Sequence, residues 1–397
     1  MKFNKWTVGL AAAGIVTLPS LVRADPPNMV QTMAAGTTLT GYVDVAAQWN
    51  LGTGNANNPA YSFGTTAGGG NSKADGFNLN VIDLVLDKPL DETPWAAGYR
   101  VELGFGPDAG SLNTDSVFGN AGDFGIRQAY VTLRTPIGNG IDWKIGVFDT
   151  IIGYESTSGP NNPNYTRSYG YSSEPTTHEG ILATYKICDA ASVTVGVANT
   201  FGVGVAPFGA AGVGSRDATS EADKAWMVAA TLTAPKNWGW LADSSATIGV
   251  INGFSPAIPI AGGANGNLTH YYAGFTLATP VTGLKAGFAL DYRHIHDSVA
   301  ADDTWVYGVY SSYQATEKLS MHLRGEYVDD KAGLFNGNPE RVFELTYTVQ
   351  YDLWKNVLSR AEVRWDHGSN GKFFNGTAAA PTRRNAVMFA ANIVYKF

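Results

Sequence analysis

The sequence predicts an all-β fold: a transmembrane antiparallel β-barrel of sixteen strands, with long extracellular loops and short periplasmic turns. Three observations carry this. Residues 387–397 (VMFAANIVYKF) place Val387, Phe389, Ala391, Ile393, Tyr395 and Phe397 on one face, with Asn392 and Lys396 on the other. That is the period of a strand, and a strand greasy on one side up to an aromatic end suits lipid outside and water inside a barrel. The amino-terminal segment carries Lys2 and Lys5, an apolar run from Trp6 to Leu18, a break at Pro19-Ser20 and small residues in Val22-Arg23-Ala24. This is the pattern of an export signal. Cleavage is expected after Ala24, making 1–24 a signal peptide and 25–36 a short periplasmic segment before a barrel over 37–397. The third observation is compositional. Charged residues make up only 15 % of the 397, aromatics 12 %, and glycines number 47. Beyond the signal, no stretch approaches the roughly 18 consecutive apolar residues of a membrane helix. For an exported, charge-poor chain of this kind, a closed barrel is the remaining way to satisfy every backbone group in lipid.

The elements follow from alternation. Strands are expected at 37–51, 77–88, 95–106, 124–135, 141–149, 178–188, 191–201, 223–234, 243–254, 268–279, 283–295, 303–315, 318–329, 341–353, 357–367 and 384–397. Connections after odd strands are mostly long and rich in Gly, Asn and Asp: 52–76, 107–123, 150–177, 202–222, 255–267, 296–302, 330–340 and 368–383. Those after even strands are mostly tight, as at Asp189-Ala190, Thr316-Glu317 and Lys355-Asn356, with 235–242 the longer exception. Long on one side and short on the other is the barrel rule, and an even strand count puts both termini on the short side.

Each strand sorts its residues by face. In 283–295, Leu284, Ala286, Phe288, Leu290 and Tyr292 oppose Lys285, Asp291 and Arg293; in 318–329, Leu319, Met321, Leu323 and Tyr327 oppose His322, Arg324 and Glu326. In 357–367, Ala361, Val363 and Trp365 oppose Arg360, Glu362, Arg364 and Asp366. A charge on the lipid face costs roughly 2–4 kcal/mol at the midplane, so the charged face is the lumen. Trp49, Trp95, Trp143, Trp226, Trp305, Tyr327 and Trp365 sit near strand ends, where aromatic girdles meet headgroups. Arg324→Ala or Arg364→Ala is therefore expected to alter conductance with little effect on assembly.

Several stretches, GYVDVAAQWN (41–50), RVELGFG (100–106), IRQAYVTL (126–133), KIGVFDTIIGYE (144–155) and RSYGYSSEPTTHEGILATY (167–185), give the chain a resemblance to the OmpL-like β-barrel porin-2 family. The likeness covers essentially the whole exported chain and rests on strand patterns. It implies a pore-forming barrel in the bacterial outer membrane, without specifying a substrate. In general porins the loop after strand 5 folds into the barrel as its constriction. By that resemblance, loop 150–177 is the candidate eyelet, offering Glu155 and Glu174 as carboxylates, Arg167 as a cation and Tyr165, Tyr169 and Tyr171 as a stacking surface; the alternative is an ordinary exposed loop. Wide porins are commonly trimeric, which makes a homotrimer expected, with the Gly- and Ala-rich strands 191–201 and 223–234 as candidate contact faces.

Across from that loop, a transverse field between carboxylates and guanidinium groups would orient dipolar solutes. The expected channel-lining residues are Arg100, Glu102, Arg134, Lys144, Lys285, Asp291, Arg293, Arg324, Glu326, Arg360, Glu362 and Arg364. Glu102, Glu326 and Glu362 each stand two residues from an arginine on the same face, which equally fits ion pairs that stiffen the wall. No GxSxG, HExxH or Walker loop occurs, so no catalytic residue and no cofactor is expected. His294 and His296, beside Asp291, Asp297, Asp302 and Asp303, form a weak cation-site pattern, read as solvated loop tips. Cys188 stands alone, excluding an internal disulfide. The formal charge of −7 argues against nucleic acid as a partner. Expected partners are outer-membrane lipid, lipopolysaccharide and small hydrophilic solutes. The alternatives are a substrate-selective channel for sugars, anions or peptides, and a structural or adhesive barrel with a blocked lumen.

Overall fold

The computed structural model describes residues 36–52, 57–59, 75–110, 124–204, 216–218, 221–259, 265–296, 303–335, 338–377 and 379–397. The expected signal peptide, most of segment 25–36, and Asp297 and Asp302 lie outside the described residues. The barrel strands are β1 (Thr38–Leu51), β2 (Gly76–Lys88), β3 (Ala97–Phe105), β4 (Phe124–Thr135), β5 (Ile141–Asp149), β6 (Pro175–Cys188), β7 (Ala191–Ala198) and β8 (Ala225–Thr233). They continue as β9 (Ser245–Pro259), β10 (Asn265–Ala278), β11 (Leu284–Ile295), β12 (Asp303–Gln314), β13 (Leu319–Asp330), β14 (Glu340–Trp354), β15 (Val357–Gly368) and β16 (Asn385–Lys396). Each pairs antiparallel with the next, and β16 closes on β1 from Tyr42↔Lys396 to Leu51↔Val387. The Phe397 carbonyl accepts from the Gly41 amide, extending the seam by one rung. All sixteen expected strands are present, with ends displaced by a few residues.

The differences lie in the connections. β6 begins at Pro175, so 175–177 belongs to the wall and the preceding loop runs from 150 to 174. The stretch 368–383, expected as a plain loop, contains a small hairpin, Phe374–Thr377 against Ala380–Arg383. A two-residue strand, Val203–Gly204, adds to the start of β6. The two-residue turn Lys355-Asn356 puts Asn356 at φ 68°, a conformation Asn tolerates better than most residues.

Burial is inverted relative to a water-soluble protein. Along β14, Phe343 and Leu345 are each 46 % exposed, while the alternating Glu344, Thr346 and Thr348 are buried. Arg324 and Arg364 are among the largest side chains with no exposure at all. Apolar outside and charged inside is stable only where the outer solvent is hydrocarbon. On that outer surface, rings run from strand to strand: Tyr292 stacks on Trp305 at 4.0 Å, and Tyr327 meets Phe343 at 4.8 Å. These rings lie near the loop-side ends of their strands, as an interfacial belt requires.

Candidate functional site: the lumen and its inward loop

The β13–β15 wall turns a row of charges inward because its strands alternate Arg or Glu with lipid-facing apolar residues. Loop 150–174 lies against that row. An irregular segment inside a barrel must still satisfy its backbone groups, and here the wall's charges do so. The Glu362 carboxylate accepts from the amides of Tyr165 (2.6 Å) and Thr166 (2.9 Å). Glu326 accepts from Tyr169 (2.8 Å) and Gly170 (3.0 Å), the first free amides of the helical turn Tyr169–Ser173. A carboxylate there neutralises the positive end of the turn and two orphan donors together. The guanidinium groups take the loop's carbonyls: Arg360 donates to Gly159 (3.2 Å) and Asn162 (2.6 Å), and Arg364 donates to Arg167 (2.7 Å).

Arg324 is the hub. Its guanidinium donates to Glu155 (2.8 Å), Glu344 (3.1 Å) and the Thr166 carbonyl (2.9 Å), with Glu326 at 3.7 Å. Glu155 in turn accepts from the Ser168 amide at 2.8 Å, fixing the loop to itself and to the wall. Arg364 pairs with Asp366 at 2.8 Å and lies over the Tyr169 ring. Neutralising Glu362 by Glu362→Gln removes charge-assisted bonds worth roughly 1.5–3 kcal/mol. The expected result is faster hydrogen exchange at the Tyr165 and Thr166 amides, with the strand amides unchanged.

The loop's opening segment is held by packing instead. Ile152 joins Phe148, Leu182, Met227 and Ile251 in a buried apolar cluster on the β5–β9 wall. Tyr154 stacks on Tyr310 at 3.9 Å, and its hydroxyl accepts from Thr276 at 3.2 Å. Gly287 makes this possible: a Cβ there would stand 2.0 Å from the Tyr154 hydroxyl oxygen. Above the loop, Tyr169 meets Phe335 edge-on at 4.9 Å within a cluster that includes Phe373 and Phe374. Burial raises the Tyr165, Tyr169 and Tyr171 phenols above their ordinary value, so each keeps its proton.

This arrangement corrects one expectation. Glu155 and Glu174 do not face an open aperture across from a basic wall; both are buried against the wall, with the guanidinium groups bonded to the loop itself. The reason is the backbone demand of the irregular loop, which consumes the charges that would otherwise make a transverse field. The tyrosines 165, 169 and 171 are likewise buried and are not an exposed stacking surface.

The remaining predicted residues fall elsewhere on the inner surface. Arg100 pairs with Glu102 at 2.7 Å and approaches Asp87 at 3.7 Å. Lys144 is half-buried, with its ammonium 4.5 Å from the Tyr130 ring centroid. Arg134 pairs with Asp142 near the short-turn end, and Lys285 is exposed at that same end. Arg293 is buried beside the Phe201 ring, and Asp291 meets His270 at 2.9 Å. His294 and His296 contact Asp303 and Thr269, and among the described residues no group of three or more His, Cys, Asp or Glu could hold a metal.

Two buried arginines escaped the sequence reading. Arg127 pairs with Glu102 and Asp149, although its parity on β4 is that of the lipid face. The β3–β4 pairing slips between Glu102↔Gln128 and Leu103↔Ile126, so a bulge turns Arg127 and Gln128 both inward. Arg216, from a loop with no strand pattern, donates to the carbonyl of Ile126 (2.6 Å) and to the Thr177 hydroxyl (3.1 Å). Neither position carries a signal in the alternation alone.

The architecture is similar to several solved outer-membrane channels. The anion-selective porin from Comamonas acidovorans superposes with a TM-score of 0.60 at 12 % identity, covering 91 % of this chain and 99 % of that one. OprB of Pseudomonas putida gives 0.58 at 9 % identity, with 93 % and 96 % covered. The outer membrane channel DcaP of Acinetobacter baumannii gives 0.57 at 15 % identity, with 91 % and 97 % covered. At these identities the likeness establishes the fold. No protein of curated function matches the chain. The family model described as "Putative beta-barrel porin-2, OmpL-like" matches residues 36–397, and the chain belongs to that family of outer-membrane porins.

Proposed function

We propose that this outer-membrane porin passes small hydrophilic solutes by diffusion through the part of the lumen that its inward loop leaves open, with loop 150–174 as the constriction. The observation that carries the reading is an asymmetry of the inner wall. On β13–β15, Arg324, Glu344, Thr346, Thr348 and Arg364 are covered, whereas on β3–β8 the inward side chains Arg100, Lys144, Thr184, Thr194 and Thr231 keep partial exposure beside the buried Glu102, Leu182 and Met227. A sixteen-strand barrel is too wide for its own wall side chains to fill, and the loop narrows it, bonding to β13–β15 and reaching Tyr42, Gln48 and Asn80 on β1 and β2. The partly exposed polar side chains on β3–β8 support passage of hydrated solutes without a catalytic step. Export by residues 1–24 and assembly as a homotrimer belong to the same proposal.

A second reading, a channel with a saturable solute site, draws on Lys144 over the Tyr130 ring beside Arg100. Single-channel recording of the purified protein in a planar bilayer with asymmetric KCl tests both. Large ohmic steps are expected. Small steps blocked by one solute at low concentration would favour the saturable site, and a folded barrel without conductance would overturn both.

A further inference from the structure

One outer connection departs from the charge pattern of the rest. From His367 to Phe397 the sequence contains no Asp or Glu, although the chain as a whole carries a formal charge of −7. Among the outer connections, 368–383 is the one with cations, Lys372 and Arg383, and no carboxylate, and Arg384 follows directly. All three residues are exposed, and none has a side-chain hydrogen bond or ion pair among the described residues. Backbone bonds place the arginines. The Ser369 amide donates to the Arg341 carbonyl at 2.9 Å and the Gly368 amide to the Arg384 carbonyl at 2.7 Å. Arg341 and Arg384 therefore flank the outer end of β15, two strand spacings or roughly 10 Å apart. Arg383 reaches the β16–β1 seam, where its Nη1 would stand 3.5 Å from a Cβ at Gly52. Arg341 shares the outward face of β14 with Phe343, and its side chain is 50 % exposed. Its Nε donates to Asp329 at 3.0 Å, while its two terminal nitrogens have no partner among the described residues. One step toward the midplane lies the aromatic belt: Tyr327 against Phe343, and Trp365, whose indole N–H donates to Asn385 at 3.1 Å.

We propose that the outer end of β14–β16 is a docking surface for a phosphorylated glycolipid of the outer leaflet, with Arg341, Arg383 and Arg384 taking its phosphates. Aromatic rings on the lipid face mark the level of the headgroups, so cations one step beyond them stand where lipid phosphates lie. A guanidinium with its terminal nitrogens unbonded presents a fork matched to phosphate oxygens. Asp329 occupies only the Nε of Arg341 and leaves that fork open. Two guanidinium groups flanking one strand end, with no carboxylate in the segment that follows, suit a headgroup carrying two phosphates better than a zwitterionic one. A free anion bound for the lumen would be met by inward-facing cations. Arg341 instead has the parity of the lipid face, opposite to the fully buried Val342. The surface rests on the outer-membrane placement of the barrel and not on conduction through it.

The test mixes the refolded barrel in detergent with bis-phosphorylated lipid A and reads the adducts by native mass spectrometry. The triple variant Arg341→Gln, Arg383→Gln, Arg384→Gln is compared with Lys318→Gln, Lys355→Gln, Lys396→Gln at the short-turn end, each checked for heat-modifiable folding. The parent and the short-turn variant are expected to retain the lipid, and the arginine triple to bind it about tenfold more weakly. Replacing the same three arginines by lysine keeps the charge and is expected to restore most of the binding. If the glutamine triple does not fold, Arg341→Gln and Arg384→Gln singly carry the comparison, each losing part of the binding. Lipid A stripped of its phosphates should bind the parent and the arginine triple alike. Equal retention of the bis-phosphorylated lipid by those two proteins would overturn the site, as would its displacement by inorganic phosphate at equal concentration. A changed oligomer mass with unaltered lipid adducts would assign the cations to a second copy of the chain. Altered ion selectivity in a planar bilayer with unaltered lipid binding would assign them to the channel mouth; either result overturns the lipid surface. A barrel that binds the lipid through these arginines but never conducts supports the surface and overturns the channel reading.

Discussion

Arg324→Ala is expected to yield a barrel that assembles but melts earlier and conducts through an unpinned loop. The side chain has no exposure and neutralises Glu155, Glu344 and Glu326 while donating to the Thr166 carbonyl. Its removal leaves three buried carboxylates facing one another with the hub cation gone. Breaking a buried pair by deleting one partner costs about 3–5 kcal/mol, and this site has more than one pair to lose. The loss is concentrated in the loop, because the β13 backbone ladder to β12 and β14 is untouched by the side chain. The measurements are the temperature at which the folded form disappears on a semi-native gel and the single-channel conductance. A fall in that temperature with larger, noisier steps is the expected pair of results. Unchanged stability would show that the cluster is not held together by this arginine. The effect reaches stability as well as conduction, contrary to what alternation alone suggested.

Leu323→Arg and Val363→Arg are expected to act on the opposite face and fail earlier. Leu323 is 45 % exposed and directly precedes Arg324, and Val363 directly precedes Arg364, so each points to lipid at mid-strand. A guanidinium there costs roughly 2–4 kcal/mol at the bilayer midplane, and no carboxylate row exists on that side to receive it. The measurement is the yield of heat-modifiable barrel on refolding into vesicles. A sharp loss is expected for each, beside near-normal yield for a Leu323→Ile control. Normal yield for the arginine variants would place the lipid on the wrong face.

The strands were readable because lipid and water impose opposite demands on neighbouring residues, and that demand repeats every two positions. Glu344, Thr346 and Thr348 against Phe343, Leu345 and Tyr347 is the clearest instance. The reading failed where the period breaks. Arg127 sits at a bulge, and one extra residue reverses which face an odd number occupies. The loop exposes a different limit. Its position after β5 was visible, but the destination of its charges was not. Alternation says which side of the wall a residue takes and nothing about what lies across the lumen from it. That Glu362 would accept amides 197 and 196 residues away, from Tyr165 and Thr166, follows only from the folded path of the chain.

The seam between β1 and β16 has a consequence for the order of events in assembly. Tyr42 and Lys396 are opposite one another, as are Leu51 and Val387, so the most sequence-distant strands are the ones that must meet. Until they do, the sheet has two bare edges, each a row of unpaired amides and carbonyls able to template a neighbouring chain. Long-range pairing of this kind is slow because loop closure precedes its reward. The barrel is therefore most vulnerable to misassembly in the interval when nearly all of its strands are paired with their neighbours but the ring is still open.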